Sequence, residues 1–169
     1  MKKVLLLFIS VVSVLHAYAQ NADSLQVQPE AIAIDSLTLR LNKLQHDYDF
    51  MYCNYELNKL MLDLTDLSHT IDISSNGIVI NVYNGEYKHA LYTAYIDKYD
   101  SLCALFNSLK DKIEAVRFAV LAKMMTSDFS EKEQNVLYAS LSVIQTSVAT
   151  VEHALNYYDV AVQAYKSKR

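Results

Sequence analysis

Glycine and proline are almost missing from this chain, with two of the first and one of the second in 169 residues. A sequence so short of turn formers argues against an all-β fold and favours long helices. Two glycines cannot build a phosphate-cradling loop, and neither G-x-S-x-G nor H-E-x-x-H occurs. No catalytic residue, metal ligand or cofactor site is therefore expected. Tryptophan is absent, no run of basic residues exists, and the net charge is −4. That balance argues against nucleic acid and against anionic membrane surfaces as partners. Residues 134–151 lack charge but carry Gln, Asn, Ser and Thr throughout, so no membrane span is expected there.

What is present begins with a leader. Lys2 and Lys3 give a positive start, residues 4–15 are apolar but for Ser10 and Ser13, and Ala17-Tyr18-Ala19 has the small-x-small form of a cleavage site. The pattern predicts a secretory signal peptide over residues 1–19, too short in its apolar run for a membrane anchor. The expected location is outside the cytosol, periplasmic or secreted. Losing Lys2 and Lys3 makes the mature chain two charges more negative. Residues 20–35, with the lone Pro29 and no clear period, read as a flexible leader. The remaining residues, 36–169, are enough for one domain with a core of its own.

The clearest element is the last. Leu137, Leu141, Ile144, Val148, Val151, Leu155, Tyr158, Val162 and Tyr165 recur at alternating spacings of four and three, a heptad seam. Ser130 and Glu133 form a capping box at its start, and Lys166, Lys168 and Arg169 lie at its negative dipole end. A helix over about 130–167 follows. A second stripe (Ser140, Val143, Ser147, Thr150, Ala154, Tyr157, Ala161) lies about 115° around the same helix. It suits a second neighbour in a bundle or, alternatively, a dimer interface.

Upstream, Leu91, Tyr95, Tyr99, Leu102, Phe106, Leu109, Ile113, Val116, Val120 and Met124 make one stripe of a helix over about 86–126. The short connection at 126–129 turns the last helix back antiparallel. The first helix, over about 36–69, has two stripes on nearly opposite sides. One is Leu37, Leu41, Leu44, Tyr48, Met51 and Tyr55; the other is Phe50, Cys53, Leu57, Leu60, Leu64, Leu67 and Ile71. Either this helix breaks near Tyr52 or its two halves pack on different things. Residues 70–85 are β-branched and partly alternating, with Ser75-Asn76-Gly77 inside and Asn84-Gly85 at the end. They read as a short β-hairpin or as an irregular loop. The fold expected is an all-α, antiparallel three-helix bundle.

Cys53 and Cys103 invite a disulfide in an exported protein. A hairpin of helices centred near Ile78 would place them at one level. Asp66 with His69, and Glu86 with His89, have the i, i+3 spacing of bundle metal sites. Both pairs lie away from the apolar stripes and read as solvated. Thirteen tyrosines are the one compositional excess. Tyr87, Tyr92, Tyr95 and Tyr99 form a candidate ligand surface for a glycan or peptide, or else fill the boundary between core and water. Candidate interaction surfaces are Leu37, Leu41, Leu44 and Tyr48, and the face carrying Ser140, Val143, Ser147, Thr150 and Ala154. The functional expectation is contact with a protein partner of unknown identity, or self-association as a homodimer.

Overall fold

The computed structural model of the chain describes residues 27–168, with side chains from residue 34 onward. The expected signal peptide and most of the expected leader lie outside the described residues. Three helices account for nearly all of the rest: α1 (Val27–Asn84), α2 (His89–Thr126) and α3 (Glu131–Lys168). The chain divides into two units, Met1–Gln45 and His46–Arg169, and α1 contributes to both.

In the first unit α1 is already helical at Val27, within the span expected to be a flexible leader. In the second unit the three helices form an antiparallel bundle. Asp49 of α1 meets Lys123 near the end of α2, and Asn81 of α1 meets Tyr95 near the start of α2. The end of α3 returns to the α1–α2 turn, where Tyr165 bonds to Glu86.

Why these residues are helical follows from burial at heptad spacing. In α1 the buried residues are Asp49, Cys53, Leu57, Leu60, Leu64, Leu67, Ile71, Ser75 and Ile78. In α2 they are Leu102, Phe106, Leu109, Ile113, Val120 and Met124. In α3 the expected seam is buried almost throughout, from Leu137 to Tyr165. Several threonines and serines, among them Thr65, Thr70, Ser74 and Thr150, donate to the carbonyl four residues back, which satisfies their hydroxyls within the helix.

Residues 70–84 correct the sequence reading. They are neither hairpin nor loop but the last four turns of α1. The buried stripe runs on through Ile71, Ser75 and Ile78, with Val82 packed against the core. Local β preference spans about 1 kcal/mol, whereas burying one large aliphatic side chain is worth roughly 1.5–3 kcal/mol. Burial therefore decides the conformation. Asn84-Gly85, read as a hairpin closure, is the helix stop instead. Gly85 takes φ 72, Gly85 N–H donates to Val82 O at 3.3 Å and Glu86 N–H to Asn81 O at 2.9 Å. That pair of bonds is a Schellman motif, and its left-handed residue is the reason for glycine there.

The capping box forms as the sequence indicates. Ser130 donates through N–H at 2.9 Å and through Oγ at 2.6 Å to Glu133 Oε2, and Glu133 N–H returns to Ser130 Oγ at 3.4 Å. These bonds, with His46 as a lesser cause, hold the Glu133 carboxyl below the usual range.

Candidate interaction surfaces

Of the two stripes on α1, only one reaches the core. Phe50, Cys53, Leu57, Leu60, Leu64, Leu67 and Ile71 are packed in it. The helix does not break near Tyr52. In the first unit Ile34, Leu37, Leu41 and Leu44 are exposed, Leu37 to 61% and Leu44 to 66%. In the second unit Tyr48, Met51 and Tyr55 are exposed, Tyr48 to 64% and Met51 to 69%. Tyr48 stacks only on its own helix neighbour Tyr52 among the ring contacts of the described residues, at 6.4 Å between centroids. Large apolar side chains at heptad spacing are thus presented to solvent.

The candidate face of α3 is split. Ala154 and Ala161 are buried, while Ser140 and Ser147 are half-buried and Val143 and Thr150 exposed. Its C-terminal half therefore touches a neighbour inside the bundle. In its N-terminal half, Ser147 and Thr150 share an open groove of about 300 Å³ with Leu64, His69 and Asp72 of α1.

The tyrosines form an interior network at the α1–α2 turn. Tyr87, Tyr92, Tyr95 and Tyr99 are all half-buried against the core. Tyr165, fully buried, lies 5.5 Å from the Tyr87 ring and 5.2 Å from the Tyr95 ring. Tyr99 stacks on Tyr158 at 5.7 Å. The hydroxyls are spent locally. Tyr87 donates to Val82 O, Tyr158 to Tyr95 O, and Tyr165 to Glu86 O, while the Tyr95 hydroxyl meets Asn81. Burial, then a hydrogen bond with the Cys103 thiol, holds the Tyr99 phenol above its ordinary value. The larger cavities lie elsewhere; one of about 620 Å³ is lined by Phe50, Asn54, Ser130, Lys132, Glu133 and Val136.

Burial pushes Tyr158 up to about 12 from an ordinary 10. The folded state thus keeps a proton that the unfolded chain gives up. Tyr158 contributes in full below pH 10, and the contribution fades as pH rises to about 12. The expected loss across that window is about 2–3 kcal/mol. Urea midpoints measured through this range should fall steeply for the native chain and more gently for Tyr158→Phe. Equal slopes would show that Tyr158 ionises as freely in the fold as outside it.

Asp49 was not marked by the sequence reading and is the one buried carboxylate among the described residues. Lys123 Nζ lies 2.7 Å from Oδ1 and the Ser127 hydroxyl donates to Oδ2 at 2.8 Å. The available clue was its position one turn before Cys53, on the face that is buried. Beside it, Phe129 closes the bundle end against the rings of His46 at 5.5 Å and Phe50 at 5.8 Å. His46 also faces Glu133 at 3.3 Å.

Of the two states open to the cysteines, a bridge or two free thiols, the structure has the second: Cys53 and Cys103 are free thiols. The reason is the length of α1. Because Asp49 meets Lys123 and Asn81 meets Tyr95, the helix hairpin is centred near residue 87 rather than Ile78. Cys53 is then level with a residue near the end of α2, about 18 residues beyond Cys103 and so roughly 27 Å away at 1.5 Å per residue. A bridge needs Cα atoms within about 7 Å. Burial, then the Asp49 charge, pushes the Cys53 thiol up, with Lys123 opposing.

Asp66, His69, Glu86 and His89 are all exposed. Among the described residues no group of three or more His, Cys, Asp or Glu is placed to hold a metal ion. Nor is any described helix long and apolar enough to cross a membrane. Comparison of the chain with protein-family models, with curated proteins and with solved structures finds no match.

Proposed function

We propose that this is an exported, non-enzymatic helical-bundle protein that works by helix–helix contact, through the α1 face that carries Leu37, Leu41, Leu44 and Tyr48. The observation behind this reading is that those four, with Ile34, Met51 and Tyr55, keep coiled-coil spacing and are all exposed. Water-facing leucines at single positions are ordinary. Seven at a and d positions of one helix are not, because a heptad seam is stable when another helix covers it. The leader-like residues 1–19 support placement outside the cytosol.

The competing reading, a tyrosine surface that holds a glycan or peptide, has less behind it. A ligand platform needs free ring faces and free hydroxyls, and at Tyr87, Tyr95 and Tyr99 both are engaged within the bundle. The α3 face is a secondary surface at most, since Ala154 is already buried.

A photo-reactive benzoylphenylalanine placed at Leu41, with Asn156 on the wet side of α3 as control, tests the reading in the producing cell. Position 41 should give adducts of discrete mass and position 156 none. No adduct from position 41 would overturn the proposal.

A further inference from the structure

The α3 seam is buried at every position but Leu141 and Val148. Both of these line a cleft of about 300 Å³ inside the second unit. Ile144, the seam residue between them, is buried in it with Leu60 of α1 and Ile113 of α2, so all three helices contribute to its walls. The wider groove at Phe50 and Val136 differs, being lined by no buried residue. The opening has its cause in α2. Where an aliphatic side chain would close the seam, α2 brings Glu114 and Arg117 to the cleft. Their charged ends stay in water, with side chains 70% and 56% exposed.

We propose that this cleft binds a single-chain amphiphile that ends in a carboxylate, its tail laid on Leu141 and Val148 and its head at Arg117. The site is separate from the α1 face and does not depend on it.

The tail follows from the floor. A core seam left part-open offers apolar surface that an apolar body can cover. Ile113 to Leu121 along α2, and Tyr138 to Val148 along α3, give the cleft a length of roughly 12–15 Å at 1.5 Å per residue. So small a volume spread over that length suits one extended alkyl chain better than a fused ring system.

The head follows from the rim. Among the described residues Arg117 is the one cation that lines the cleft and Glu114 the one anion. Both oxygens of Glu114 face a single nitrogen, Arg117 Nη1, at 3.4 Å. Nη2 and Nε have no partner among the described residues and remain for a bidentate carboxylate. A cationic head would find only Glu114, whose oxygens are already turned to the arginine. Tyr138, Ser142 and Gln145 edge the cleft as exposed neutral groups and favour neither charge.

Isothermal titration calorimetry of decanoate into the full native chain, below the micelle threshold, tests this. Binding should be saturable, and the shorter octanoate should bind about tenfold more weakly, since less tail lies on the seam. Arg117→Gln should weaken decanoate about tenfold and leave decanol unchanged. Val148→Phe fills the trough and should abolish binding of both, with helicity kept by circular dichroism. The chain has no tryptophan, so Tyr138→Trp puts a lone reporter at the rim. Its emission should move to shorter wavelength as decanoate enters, whatever becomes of the Phe variant. Absence of saturable binding would overturn the site. Decanoate affinity that ignores Arg117→Gln, or decylamine binding as tightly as decanoate, would overturn the carboxylate head. Tighter binding of acetyl-Leu-Leu than of decanoate would give the cleft to a peptide end and overturn the alkyl tail.

Discussion

Truncating Tyr165 to alanine is expected to lower the free energy of unfolding by about 4 kcal/mol. Its ring is fully buried between Tyr87 and Tyr95, so removal leaves a cavity the size of an aromatic side chain. Its hydroxyl adds a separate contribution. It donates to Glu86 O at 2.6 Å and accepts from Lys88 N–H at 2.8 Å. Lys88 is the N-cap of α2 and has no side-chain cap of its own, so a tyrosine from the far end of α3 takes over that role. Tyr165→Phe isolates the hydroxyl and should cost about 1 kcal/mol. Chemical denaturation followed at 222 nm gives both values. If alanine costs no more than phenylalanine, the last turns of α3 do not dock on the α1–α2 turn.

Lys123→Met should cost about 3 kcal/mol, because it leaves the Asp49 carboxylate buried with its cation gone. The Ser127 hydroxyl would still donate to it. Removing the charge as well, in Asp49→Asn with Lys123→Met, should recover a large part of that loss. An ion pair of this kind is costly to break and far less costly to replace. Asp49→Asn alone should cost less than Lys123→Met, since Lys123 is more than a third exposed and can turn to water. A double-mutant cycle by urea unfolding reads the coupling. Additive losses would mean that Asp49 and Lys123 do not interact in solution.

Much of the fold was legible because burial and periodicity agree. Leu137 through Tyr165 recur at three and four and are packed as that spacing requires. Ser130 and Glu133 make a capping box that uses only local geometry, so tertiary context has little to change. Residues 70–84 were misread because isoleucine, valine and asparagine favour strands and turns locally. Ile71, Ile78 and Val82 nonetheless continued the stripe begun at Cys53, at helical spacing. That longer pattern was the better guide. The error carried directly into the cysteines, since a turn centred at Ile78 places Cys53 and Cys103 level and one centred near residue 87 does not.

The amino-acid sequence on its own determined that the chain is helical, that three helices follow one another, and which residues of each share a face. Spacing alone does this, because 3.6 residues per turn is a property of the backbone. It also determined that α1 has two apolar faces. Only the tertiary structure decided which of them is covered, because a stripe records which side chains point together and not whether another helix lies against them. The same holds for the tyrosines, whose hydroxyls turned inward once Tyr158 and Tyr165 arrived from α3. It holds for Asp49, whose burial depends on Lys123 lying 74 residues away in sequence and 2.7 Å away in space.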